Sequence, residues 1–131
     1  MAGEHLWDSA KEIVVKMRDI IQSNTEDRVK ESRFGWQYRL LSESKDMKGD
    51  MEAQGYQVYD CTVFHFVVPA RIENPTKRLL LVPIQGTSSL TPAETLSPGS
   101  YWDIKDDANR VLTPDETGGA DIMIITLQED K

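Results

Sequence analysis

The chain has 131 residues, 39% of them apolar and 28% charged, with one cysteine and a formal net charge of −7. That length fits a single domain spanning residues 1–131, and the lone Cys61 excludes both an internal disulfide and a cysteine-based zinc site. Fifteen basic residues face twenty-two acidic ones, and Lys77-Arg78 is the only adjacent basic pair, so no nucleic-acid partner is expected.

The first element is an amphipathic helix over about residues 5–22. Leu6, Ala10, Ile13, Met17 and Ile20 recur at spacings of four, three, four and three, with Val14 and Ile21 widening the stripe. Lys11, Glu12, Lys16, Arg18 and Asp19 occupy the other side. Ser9 and Glu12 have capping-box spacing, although Leu6 and Trp7 lie upstream, and Ser23-Asn24-Thr25 should end the helix. The opening residues have no basic start and no unbroken apolar run, so a secretory signal is not expected. The longest apolar runs are short, so no membrane span is expected either, and a cytoplasmic location is the expectation.

A charged stretch from Glu26 to Arg33 precedes a period-two pattern. Phe34, Trp36, Tyr38 and Leu40 alternate with Gly35, Gln37, Arg39 and Leu41, which predicts a half-buried strand over about 34–41. Residues 42–55 are strongly polar and read as a long turn or a short helix carrying Met47 and Met51.

The run from Tyr56 to Val68 is apolar on both alternating faces and rich in β-branched and aromatic types. It predicts a strand over about 56–68 that lies between two layers or lines a filled barrel. Pro69 stops it, Asn74-Pro75 marks a turn, and residues 78–84 supply an antiparallel partner in which Pro83 marks an edge or a bulge. The stretch from Gln85 to Gly99 reads as a surface loop. Thr91-Pro92-Ala93-Glu94 and Thr113-Pro114-Asp115-Glu116 both fit the start of a short helical turn. Residues 100–104 and 110–112 are further strands, Gly118-Gly119 is a turn, and 120–127 is the last strand, again apolar on both faces.

The order of elements implies an α+β fold. The N-terminal helix packs on a curved sheet or open barrel of five to six mostly antiparallel strands. A βα alternation is missing, which argues against a dinucleotide-binding sheet.

No phosphate-binding glycine loop, zinc-protease motif or nucleophile elbow occurs in the chain. With only His5 and His65, a multi-histidine metal site cannot form within one chain. No cofactor or metal is expected, and the reading leans away from an enzyme. The residues that stand out are Trp36, Tyr59, Asp60, Cys61, His65, Tyr101 and Trp102, as wall of a pocket or as an interface. Cys61 and His65 share a strand face but stand about 13 Å apart at strand spacing, too far for a thiol–base pair. Asp60 falls on the face of Val58, Phe64 and Phe66. It therefore needs a cationic partner such as Arg39 or Arg78, or a place at a strand end open to water. Tyr101 and Trp102 are adjacent, so one points inward and one outward.

Asp103, Asp106, Asp107, Asp115, Glu116 and Asp121 lack the spacing of a calcium loop and read as solvated loop charge. The expected function is a small acidic interaction or accessory protein, acting through self-association or a protein partner. The alternative is a small-molecule-binding protein or minor enzyme with a cavity between helix and sheet.

Overall fold

A computed structural model describes residues 4–23, 28–32, 35–38, 41–72, 74, 76–91, 94–105, 110–115 and 119–128. In chain order these form β1 (Glu4–His5), α1 (Asp8–Gln22), β2 (Arg28–Ser32), β3 (Gly35–Tyr38), α2 (Leu41–Ala53), β4 (Val58–Phe66) and β5 (Ala70–Ile72). There follow β6 (Leu79–Gln85), β7 (Ser88–Leu90), β8 (Glu94–Leu96), β9 (Ser100–Ile104), β10 (Arg110–Pro114) and β11 (Ala120–Leu127). The fold is α+β, with the N-terminal helix packed on an antiparallel sheet.

The larger sheet has the order β1-β9-β6-β11-β4-β3-β2, and the smaller β5-β10-β7-β8. Every pairing is antiparallel. The sheets stack, and the helices cover the opposite side of the larger one. Alternation on the three central strands feeds both interfaces. Val63, Leu80, Val82, Met123 and Ile125 face Ala10, Val14, Met17, Met47 and Met51 of the helices. Phe64, Phe66, Leu79, Leu81, Ile122 and Ile124 face Ile72, Leu90, Leu96 and Leu112 of the smaller sheet. The two-sided apolar patterns of 56–68 and 120–127 therefore mark strands buried between two layers, and β6 between them in sequence is buried on both faces as well. The larger sheet is open and layered rather than a closed barrel, running from β1 at one edge to β2 at the other.

Helix α1 begins at Asp8, later than its apolar stripe implies, because residues 4–5 pair with β9. Its N-cap is Trp7, which makes no side-chain capping bond, so the Ser9–Glu12 capping box is not used. Ser23 closes the helix as expected, its backbone N–H reaching Asp19 O and its hydroxyl donating to Ile20 O.

The polar segment after β3 is a full helix, α2, rather than a turn. Met47 and Met51, one turn apart, are its buried contacts with the core. It ends in a Schellman arrangement: Tyr56 N–H bonds to Met51 O and Gly55 N–H to Glu52 O, with Gly55 at φ +98°.

Several other expectations are corrected. Leu41 belongs to α2, and β3 is confined to Gly35–Tyr38; residues 34, 39 and 40 lie outside the described residues. The charged stretch after α1 contains β2, which pairs with β3. Ser88–Leu90 and Glu94–Leu96 are strands rather than loop, and Thr113-Pro114 ends β10 rather than opening a helical turn. Of the two alternatives for Pro83, the bulge holds: it accompanies a register shift opposite Asp121 and Ile122, two residues past the end of the β6–β9 register at Leu81.

The two cores predict a sharp contrast between buried and exposed positions. Leu81 is fully buried between the sheets, and Leu81→Ala should cost about 2–5 kcal/mol by urea denaturation. Val15, 47% exposed on α1, should tolerate Ala within about 0.5 kcal/mol.

Candidate functional site

Among the described residues, Asp121 and Ser88 are the only buried polar or charged side chains. Asp121 is the second residue of β11, where its carboxylate turns toward the helix layer with Met123 and Ile125. Cross-strand register sets its neighbours: His65 lies opposite on β4 and Gln85 opposite on β6. Trp36 on β3 lies opposite His65, and Tyr38 opposite Val63. One row of cross-strand pairs thus assembles a polar cluster inside an apolar layer.

A buried carboxylate is costly unless hydrogen-bonded. Tyr38 donates its hydroxyl to Asp121 Oδ1 at 2.8 Å. His65 Nδ1 lies 2.7 Å from the same oxygen, and Gln85 Nε2 donates to Oδ2 at 3.4 Å. Because an ionised carboxylate only accepts, Nδ1 carries the proton, and in the neutral ring Nε2 is then an acceptor. The imidazole stacks on Trp36 with centroids 4.3 Å apart and planes 14° from parallel. Gly119, at φ +90°, makes room for it: a Cβ there would stand 2.8 Å from His65 Nε2 and 2.4 Å from Phe66 O. From the helix layer, Gln22 Nε2 donates to Gln85 Oε1 at 2.7 Å, and Arg18 Nε donates to Ile84 O at 3.1 Å. The end of α1 is thereby tied to this row. The arrangement holds one imidazole in a fixed tautomer and plane, suited to accepting a hydrogen bond or a proton at Nε2.

Of the seven residues singled out from the sequence, only Trp36 and His65 come together here. Asp60 keeps the facing of Phe64 and Phe66, and it is Val58 that leaves that face for the helix-side core. A bulge in β4, where Thr126 pairs with Asp60 but Leu127 with Val58, shifts the alternation by one residue. Asp60 is exposed, and it uses its carboxylate locally, accepting the Cys61 N–H at 2.9 Å and the Thr62 hydroxyl at 3.3 Å. The proposed partner Arg78 instead faces Asp103 at 3.8 Å; Arg39 lies outside the described residues. Tyr59, at the bulge, is 69% exposed.

Cys61 is half-buried against the helix-side core. Burial, reinforced by the negative charge of Asp60, pushes its thiol up to about 12, against a smaller opposing effect of a hydrogen bond with Ser44. Trp102 is buried between the sheets, whereas Tyr101 lies half-buried against the helix-side core, so the adjacent pair takes opposite faces but neither points outward.

Asp121 corrects the reading of the acidic group as solvated charge. Of that group, Asp106, Asp107 and Glu116 lie outside the described residues, and among the described residues no three ligand-type side chains cluster for a metal ion. Gln85 and Gly119 carry no sequence signal that marks them for this cluster. The signal for Asp121 was present, since period two on residues 120–127 places it with Met123 and Ile125 on an inward face.

No known family model, curated protein or solved structure matches the chain.

Two predictions follow from this geometry. Tyr38→Phe removes one of the bonds to a buried carboxylate and should cost about 1.5–3 kcal/mol by chemical denaturation. For Cys61, the folded thiol holds its proton more tightly than the unfolded one. Its contribution to stability is therefore complete below about pH 9 and is lost as pH rises from 9 toward 12. Cys61→Ala should flatten that part of the alkaline stability profile, measured as the difference from wild type so that other titrating groups cancel.

Proposed function

We propose that this chain is a non-enzymatic binding protein that acts through a surface shared with a second copy or with another protein. The observation that carries the reading is Tyr59. Among the described residues it is the most exposed large apolar side chain, and it stands on a strand of the central sheet rather than on a loop. Tyrosine is favoured at binding hot spots because it offers a wide apolar surface with a polar tip at small entropic cost. The bulge at Tyr59–Asp60 lies beyond the described register of β3, which covers β4 from Val63 to Phe66. Tyr59 is thus presented on a rigid element. The state of Cys61 supports a non-catalytic reading, since a thiol held near 12 is protonated at neutral pH and is a poor nucleophile.

A second reading rests on the other distinctive feature. The imidazole oriented by Asp121 and stacked on Trp36 has the form of a recognition or acid–base group, which favours a small-molecule-binding protein or minor enzyme. Its ligand would sit where the end of α1 meets β6 and β11.

Native mass spectrometry on freshly purified protein distinguishes the two. A dimer or a defined protein complex that Tyr59→Ser dissociates is the expected result. A monomer carrying a small-molecule adduct that His65→Gln loses would replace the first reading by the second. A bare monomer, unchanged by Tyr59→Ser and showing no concentration-dependent NMR shifts around Tyr59, would overturn the surface reading.

A further inference from the structure

At the opposite end of α1 from His65, three aromatic rings from separate parts of the chain converge. Trp7 is the α1 N-cap, Tyr56 follows the Schellman turn that ends α2, and Tyr101 lies on β9. With α1 fifteen residues long, this group stands about 22 Å from the Asp121 cluster along the helix. The Tyr56 ring lies nearly parallel to Trp7, at 15° and a centroid separation of 6.1 Å. Tyr101 stands across Trp7 at 81° and 5.7 Å. All three rings are half-buried, so each rests on the core and keeps part of its surface open.

Asp50 completes the group. Its Oδ2 accepts the Trp7 indole N–H at 2.6 Å, a short bond to a charged acceptor. This bond adds electron density to the indole, the aromatic ring that already binds cations best. It also places a negative charge beside the rings. The carboxylate is partly committed to the indole, so it favours a cation by its field rather than as a dedicated salt-bridge partner.

We propose that Trp7, Tyr56 and Tyr101, with Asp50 behind them, form a recognition corner for a quaternary ammonium group. The rings pack directly on one another, so the cation is placed against the open outer surface of the corner, within about 6 Å of more than one ring centroid, rather than between the rings. Two aromatic walls at a right angle match the broad, methylated surface of such a cation better than a primary ammonium, which demands hydrogen-bond acceptors in return for its hydration. The net charge of −7 favours approach of a cation. The same headgroup occurs on free small molecules of the choline type and on trimethylated lysine side chains.

The test follows the Trp7 indole N–H resonance of the intact chain by NMR during titration with choline, with a short peptide bearing trimethyllysine, and with 3,3-dimethylbutan-1-ol, the uncharged analogue of choline. Saturable shifts are expected with a cationic probe at about 1 mM or tighter, and none with the alcohol. Saturation by choline assigns a free small molecule, and saturation by the peptide alone assigns a modified protein. Both uphold the proposal.

Tyr101→Leu keeps apolar bulk but removes a ring and should weaken binding roughly three- to thirty-fold. Tyr101→Phe should bind as wild type, which separates loss of the ring from loss of the fold. Asp50→Asn retains an acceptor for the indole N–H but should also weaken binding. Equal shifts with the alcohol, no saturation by either cation, or wild-type affinity in the folded Tyr101→Leu protein would overturn the proposal.

Discussion

The structure depends on one constraint: β4, β6 and β11 are apolar on both faces, and neither face can be left to water. Leu80, Val82, Met123 and Ile125 require one cover, and Leu79, Leu81, Ile122 and Ile124 another. The helices supply the first and the four-stranded sheet the second. The short strands β5, β7, β8 and β10 carry few residues each, yet their inward Ile72, Leu90, Leu96 and Leu112 seal the second core. Burial of these side chains is the dominant favourable term, and it is what sets two cores on opposite sides of one sheet. It also removes the two-sided strands themselves as a free interface, so any partner surface must be sought on side chains the layers leave outside, such as Tyr59.

Within that apolar setting, Asp121 is the principal exception. Its burial is tolerated because three donors from three strands converge on it, and those strands are locked in register by the cores around them. The carboxylate in turn fixes the tautomer and plane of His65, and Trp36 fixes its face. The same antiparallel register that packs the core thus delivers an oriented imidazole. A slip of one residue between β4 and β11 would turn Asp121 or His65 to the other face.

Helix α1 links the two ends of the helix–sheet layer. Its last turn reaches the Asp121 row through Gln22 and Gln85, and its cap carries Trp7 into the aromatic group held by Tyr56, Tyr101 and Asp50. No part of α1 is long or apolar enough to cross a membrane, and the same holds for α2. The stripe from Leu6 to Ile21 serves to fasten the helix to the sheet, which leaves both ends available to present polar and aromatic groups.

Hydrophobic periodicity by itself determined the α+β class, the position of α1, the two-sided burial of β4 and β11, and the placing of Tyr101 and Trp102 on opposite faces. These follow from local patterns of period 3.6 or 2 that persist over several residues. Tertiary structure alone decided the rest. Among the described side chains of α2, only Met47 and Met51 are buried, a stripe too sparse to separate the segment from a turn until Val63 and its neighbours provide something to pack on. The short strands of the smaller sheet carry too few residues for alternation to register.

The expectation that a carboxylate in an apolar strand needs partners was sound, but it applied to Asp121 and not to Asp60. Asp60 keeps the facing of Phe64 and Phe66 but lies exposed beside a bulge that turns Val58 to the helix side, and no local pattern announces where such a bulge is inserted. The joining of Trp36, Tyr38, His65, Gln85 and Asp121 required the order β6-β11-β4-β3, which brings together residues far apart in the chain by long-range pairing.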